Sequence, residues 1–379
     1  MKPFPLPPSI PGPSRRLILV ILGAAAAGVQ AVGAQSPPPA KPDQPDQELL
    51  LKDFKPRSML QVPEHPVEKA RFPVIDFHGH LGRMDPQEAL HVMEATNVQT
   101  IIDFDGGSGP ALEEQKARYA GLSGRVVHFA RLNWRWINDA DFSSRSAKRL
   151  EEDVKAGARG LKVSKMLGLY LRDDEGQLVA VNDPRFDPIW AKCGELGIPV
   201  AIHIADPDAF FLPLDEFNEQ YDALKRNPGW HFYGKDFPSK NTLLKQRNEI
   251  LARHPGTTFL GLHVANRSEN LAEVANLLDR FPNLYVEFGA RVNELGRQPY
   301  TARRFFLKYA DRILFGLDRS SLSPYHYRVY FRFLETSDEY FSYNHRPGLG
   351  RWQIYGIHLS DDILRKVYYQ NAQKLLGLK

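Results

Sequence analysis

The stretch Val74-Ile75-Asp76-Phe77-His78-Gly79-His80, "VIDFHGH" (74–80), ends an apolar run with two histidines one residue apart. Side chains alternate across a strand, so Asp76, His78 and His80 are expected on one side, with both imidazoles aimed at one point. That spacing suits a bidentate metal pair, although a surface loop that merely contains histidine reads the same way locally. The residues downstream decide between the two.

Seven further apolar runs follow: "VQTIIDFD" (98–105), "VVHFARLNW" (126–134), "ARGLKVSK" (158–165), "PVAIHIAD" (199–206), "TFLGLHVA" (258–265), "LYVEFGA" (284–290) and "RILFGLDR" (312–319). Helix-like spacing fills the intervals, as in "DPQEALHVMEATN" (85–97) and "SENLAEVANLLDRF" (268–281). A strand followed by a crossover helix pairs in parallel, and strands apolar on both faces suit a sheet covered by helices. Eight such units predict an α/β (β/α)8 TIM barrel over residues 71–379, with a long aromatic insertion after the fifth strand and a helical C-terminal extension. A doubly wound open sheet is the rival, weakened because no Gly-x-Gly-x-x-Gly turn follows the first strand.

Barrel active sites form where strands run out into their following loops, so polar residues late in apolar strands carry the functional signal. His203 ends the fifth strand, His263 the sixth and Asp318 the eighth. Each alone is weak evidence, because a lone strand-end histidine is more often structural. Together with His78 and His80 they supply the nitrogen and oxygen ligands of zinc or a related divalent ion. The one cysteine, Cys193, rules out an intramolecular disulfide and a Cys-rich zinc site.

These motifs, with "GARGLKVS" and the closing "VYYQNAQKLLGL", resemble the amidohydrolase superfamily of metal-dependent barrels. Within it they look like the amidohydrolase-related branch that includes aminocarboxymuconate-semialdehyde decarboxylase relatives. The resemblance implies that His78, His80, His203 and Asp318 hold one divalent ion, zinc first, with manganese or another as alternatives. It makes Asp318 and His263 the catalytic pair, Asp318 as a proton acceptor and His263 as the group that polarises substrate or donates a proton. Lys162 occupies the strand where other branches carry a carbamylated lysine; here a substrate-contacting or structural role is favoured over a metal bridge. Arg319 follows Asp318 where the branch often has a Trp-Pro pair, so the substrate-facing edge differs.

Further expectations concern the pocket. Arg131 and Asn133 on the third strand, Arg291 past the seventh and Arg319 are expected substrate contacts, with Lys162. Asp76 is expected to orient a ligating histidine, and Glu287 is a harder case of the same kind. Residues 206–240 are long for a strand-to-helix loop, and a lid is expected there with Phe210, Phe211, Trp230, Phe232 and Tyr233 as stacking candidates. Tyr325, Tyr327 and His345 are rim candidates in the C-terminal extension.

The chain has 379 residues, 42% hydrophobic and 25% charged, with a formal net charge of +4. Residues 17–34, "LILVILGAAAAGVQAVGA", follow Arg15-Arg16 and end in small residues, as a secretory signal does. Cleavage after Ala34 is expected, giving an exported, periplasmic or extracellular protein; an uncleaved membrane anchor is the alternative, and "SRRLILV" also resembles a twin-arginine signal. Cleavage removes Lys2, Arg15 and Arg16 and leaves +1, which gives no electrostatic case for nucleic acid. Residues 35–70 are proline-rich and read as a linker or strap. The expected partner is a small-molecule substrate, with no stable membrane partner after cleavage and a homodimer as one oligomeric option. Hydrolysis of a lactone, ester or amide is the first expectation. Decarboxylation of a cyclic or aromatic acid is the second, and a non-catalytic binding barrel a third.

Overall fold

A computed structural model describes residues 49–50, 53–234, 236–344 and 349–378. The expected leader, most of the expected linker and His345 lie outside the described residues. The chain divides into two compact units, Met1–Met59 and Leu60–Lys379. In the first, Asp53 and Phe54 donate their amides to the Leu50 carbonyl. The second contains every strand among the described residues. No helix there is long and apolar enough to cross a membrane.

Nine strand segments run in parallel: β1 (Val74–Gly79), β2 (Val98–Asp103), β3 (Val126–His128), β4 (Ala130–Arg131), β5 (Leu161–Val163), β6 (Val200–Ile202), β7 (Phe259–Gly261), β8 (Leu284–Glu287) and β9 (Ile313–Leu314). β3 and β4 are one expected strand interrupted at Phe129, whose ring turns into the barrel beside Phe77 and Phe104. A Cβ on Gly160 would stand 2.2 Å from that ring, so the interruption depends on a glycine opposite it. Between the last strand and the first, Phe77 donates to the Phe315 carbonyl (2.8 Å) and Asp318 to the His78 carbonyl (2.9 Å). These bonds join the two edges of the sheet, and the protein is a TIM barrel.

Helices cover the outside: α1 (Pro86–Thr96), α2 (Pro110–Arg118), α3 (Phe142–Lys155), α4 (Asp187–Glu195), α5 (Lys240–Arg253), α6 (Leu271–Arg280), α7 (Pro299–Lys308) and α8 (Pro324–Glu335). The sequence of α1 shows why. Asp85 caps its start by accepting from the amides of Gln87 and Glu88, and Ala89, Val92, Met93 and Thr96 form one buried stripe. Such a cap contributes about 1 kcal/mol, and the stripe commits that face to the barrel. Inside the strands, Ile75, Phe77, Ile102, Phe104, Phe129, Ala201, Leu260, Leu262 and Leu314 form a separate apolar cluster, which also contains Ala372 and Leu376 of the last helix, Asn371–Leu376. This cluster fills the barrel and leaves its mouth for polar groups.

Candidate metal centre at the barrel mouth

Asp76 and His78 turn to different partners. The β1 register shifts between Asp76 and Gly79, a local irregularity that frees the strand end to re-aim its side chains. Asp76 is fully buried and accepts from the amides of His78 and Leu317 and from the hydroxyl of Tyr327 (2.7 Å). It therefore supports the His78 backbone, while the imidazole takes a different carboxylate. Tyr327, expected at the rim, is buried on α8. Burial pushes the Asp76 carboxyl up to about 6 against the bonds from Tyr327, His78 and Leu317.

His78 and His80 meet Asp318 at the mouth. His78 Nε2 is 3.3 Å and His80 Nε2 3.4 Å from Asp318 Oδ1, and these three groups offer ligand atoms within 4.8 Å of one another. The other ring nitrogens fix the tautomers: His78 Nδ1 lies 3.0 Å from Glu287 Oε1, and His80 Nδ1 3.0 Å from Asp105 Oδ1. With protons on Nδ1, both Nε2 lone pairs point at an anionic oxygen, an arrangement that suits a cation between them. His78 Nε2 is buried without a hydrogen-bond partner, as an atom reserved for a metal would be. Burial lowers the His78 ring well below its ordinary value. His80 feels burial in the same sense, but its bonds to Asp105 and Asp318 outweigh it and raise the ring to about 9. Burial would raise Asp318, yet His78, His80 and His263 hold it well below the carboxylate range.

His263 and His203 form the adjacent half. His263 Nδ1 is 2.7 Å from the Gly289 carbonyl, so its proton sits there and Nε2 faces Asp318 Oδ2 (3.7 Å) and His203 Nδ1 (3.4 Å). His203 Nε2 turns instead to Asp206 Oδ1 at 3.4 Å. His203 thus stands beside His263 and outside the His78–His80–Asp318 group. Burial lowers both rings from their ordinary value, so a hydrogen in the His203–His263 contact belongs to a neutral imidazole, or a cation is shared there. Asp206 is kept strongly ionised: burial opposes this, but Lys165 (2.6 Å), His203 and Arg291 (3.8 Å) outweigh it.

The backbone at these strand ends is strained. His263, Val264, Ala265 and Asn266 all have φ between 51° and 57°, and Ala290 and Asp318 have φ of 53° and 59°. A left-handed non-glycine residue costs about 1–2 kcal/mol, so this concentration at the mouth persists only where contacts hold it.

The remaining expected residues separate. Lys162 lies beneath the cluster, its Nζ 4.4 Å over the Phe104 ring and without a hydrogen-bond partner; burial lowers it to about 7. Arg131 pairs with Asp105 at 3.5 Å, and Arg291 is buried and donates to the Ala290 carbonyl. Asn133 is not part of the site: its side chain caps the turn Trp134–Trp136 by accepting from the Arg135 amide. Arg319 is exposed and lines, with His80, Asp318, Trp230, Tyr330 and Tyr343, a cavity of about 560 Å³ that opens from the cluster. Of the expected lid aromatics, Trp230 reaches this cavity with Phe210 stacked on it (6.0 Å), whereas Phe211 and Phe232 pack against each other and Tyr233 faces a different groove.

Sequence reasoning missed Asp105 and Asp206 and named Glu287 only as a harder case of a carboxylate orienting a ligating histidine. "TIIDFD" and "HIAD" carry the first two as late-strand carboxylates, a signal equal to that of Asp318. Glu287 is marked by glycines: a Cβ on Gly316 would stand 2.2 Å from its carboxylate, and one on Gly289 2.7 Å.

Glu294, in the turn Val292–Gly296 beside the cavity wall, has one oxygen bonded to Asn293 (3.1 Å) and the other without a partner. Burial pushes its carboxyl up to about 7 from 4.5. A raised folded-state value means that the associated stability is fully present below about pH 4.5 and is lost as pH rises through about 7, up to about 3 kcal/mol. Glu294→Gln is therefore expected to raise the melting temperature by a few degrees at pH 8 and to match the parent at pH 4.5. Equal differences at both pH values would contradict this.

An all-parallel barrel whose strand ends converge imidazoles and a carboxylate defines the class of TIM-barrel enzymes able to hold a divalent ion at the mouth. The chain belongs to the amidohydrolase family, whose model, described as Amidohydrolase, matches residues 75–378. An uncharacterized TIM-barrel protein from Bordetella bronchiseptica is 14% identical, with a TM-score of 0.50 over 81% of this chain and 99% of its own. A 2,6-dihydroxybenzoate decarboxylase solved with 2,6-dihydroxybenzoate is 16% identical, with a TM-score of 0.50 over 81% and 100%. No curated protein matches the chain.

Proposed function

We propose that the protein is a metal-dependent hydrolase of a lactone, ester or amide, with His78, His80 and Asp318 holding one divalent ion, zinc first, and with His263 and His203 beside it. The observation that carries this reading is the convergence of two imidazole lone pairs on the Asp318 carboxylate. When bound, the ion supplies Lewis acidity to water and to the substrate carbonyl. Asp318, ionised and accessible from the cavity, accepts the proton of the attacking water. The proton taken up by Asp318 passes on to the leaving oxygen or nitrogen, with His263 Nε2, 3.7 Å from Asp318 Oδ2, placed to relay it. Burial keeps His263 neutral, with its proton on Nδ1 directed at the Gly289 carbonyl, so only Nε2 is open to act in this relay. The leader-like residues 17–34 favour hydrolysis, since an exported enzyme meets lactones, esters and amides more often than intracellular intermediates.

A second reading is loss of CO2 from a carboxylated ring. The unpartnered Lys162 amine beneath the cluster favours it, because a substrate carboxylate would supply the missing partner. The structurally similar 2,6-dihydroxybenzoate decarboxylase belongs to the same reaction class.

Two measurements test the proposal. Elemental analysis after metal-supplemented expression is expected to find close to one divalent ion per chain, and less than ~0.1 would sink the metal site. A screen of lactones, esters and amides beside hydroxybenzoate-type acids, with CO2 monitored, is expected to give hydrolysis. CO2 release without hydrolysis would establish the second reading instead.

A further inference from the structure

We propose that Arg247, on the outer helix α5, is a positioning residue that locks the left-handed turn carrying His263; the catalytic consequence rests on the reading of the site given above. Residues 263–266 adopt φ of 57°, 55°, 51° and 57° with no glycine among them, and Val264 is β-branched. Asn266 and His263 tolerate that conformation, but nothing intrinsic to Val264 and Ala265 favours it, so tertiary contacts must impose it there.

Those contacts can be enumerated. The His263 amide donates to Glu287 Oε1 (2.6 Å), and Asn266 Nδ2 donates to the Ala205 carbonyl (2.7 Å), two residues beyond His203. Arg267 closes the turn by donating to the Val264 carbonyl. The Ala265 carbonyl, at the centre, accepts from Arg247 Nη1.

Arg247 is fully buried, and no carboxylate pairs with it among the described residues. Its Nε and Nη2 both donate to Asn248 Oδ1, at 3.1 and 2.8 Å, which orients the guanidinium and leaves Nη1 for Ala265. A buried cation without a counter-ion is costly, and burial lowers this guanidinium to about 10. A residue selected for packing alone would not carry that charge. What the charge achieves here is a charge-assisted bond to one strained carbonyl, stronger than a neutral donor would make.

The consequence falls on His263. Its Nε2 lies 3.4 Å from His203 and 3.7 Å from Asp318, distances that a rotation of the 264–265 peptides would lengthen. Arg247 thus acts through the backbone, without touching substrate. On its outer side it borders a groove of about 680 Å³ between α5 and α6.

The experiment compares Arg247→Ala, Arg247→Met and Arg247→Lys with the parent chain. Met fills the volume and removes the donors, so it keeps the proposal testable if the alanine variant does not fold. Expected for Arg247→Met and Arg247→Ala are an unchanged metal content, a largely unchanged KM and a kcat lower by about 100-fold. Faster hydrogen exchange is expected at the amides of residues 263–267. Arg247→Lys, which keeps one charged donor, should fall between these variants and the parent, and added guanidinium should restore part of the kcat of Arg247→Ala. Parent-like exchange in Arg247→Met would overturn the lock. Faster exchange with parent-like kcat and no guanidinium rescue would overturn the positioning role. Absence of turnover in the parent chain would count against the enzymatic reading alone, because exchange is measured without substrate.

Discussion

Asp318→Asn is expected to lower kcat by about a thousandfold, within the range that loss of a general base commonly produces. Asparagine keeps the shape and one oxygen beside His78 Nε2 and His80 Nε2 but cannot accept a proton. The loss should therefore fall on kcat, with KM little changed, when the variant is assayed at saturating divalent ion. A kcat within about tenfold of the parent would remove Asp318 from the role of base.

Glu287→Ala is the second large expected effect, and it acts on assembly of the site. Glu287 is fully buried and accepts from His78 Nδ1 (3.0 Å), the His263 amide (2.6 Å) and the Gly289 amide. Removing it leaves these donors unsatisfied, frees the His78 imidazole to turn and loosens the backbone that carries His263. Loss of one member of a buried charged network costs about 3–5 kcal/mol, and loss of a group that orients a ligating histidine weakens metal binding about 10–100-fold. Denaturant unfolding reads the first, and zinc titration against a competing chelator reads the second. Gly316→Ala should reproduce part of both effects, since its Cβ would press on the same carboxylate. Parent-like zinc affinity in Glu287→Ala would show that the imidazoles are oriented by other groups.

These effects also show how the site divides between what lies close in sequence and what does not. His78 and His80 were legible because two residues on one strand are necessarily near each other. Their meeting with Asp318 followed from late positions on strands that a barrel brings together. Lys162 and Arg319 were expected as substrate contacts; Lys162 lies over the Phe104 ring, and Arg319 lines the cavity beside Asp318. Asn133 was placed by alternation, but its strand ends early and the side chain caps the next turn. Asp76 was expected to orient a ligating histidine; it bonds the His78 backbone amide, and Glu287 takes the imidazole.

By itself, the order of apolar runs and helical spacings determined an eight-unit parallel barrel with polar residues at its mouth, because alternation and crossover handedness are local rules. Tertiary structure alone decided which carboxylate orients which imidazole: Glu287 for His78, Asp105 for His80 and Asp206 for His203. It also placed Arg247 under the turn that carries His263. Such pairings depend on distances across the barrel and on strained peptides held by remote groups, and no spacing along one strand encodes them.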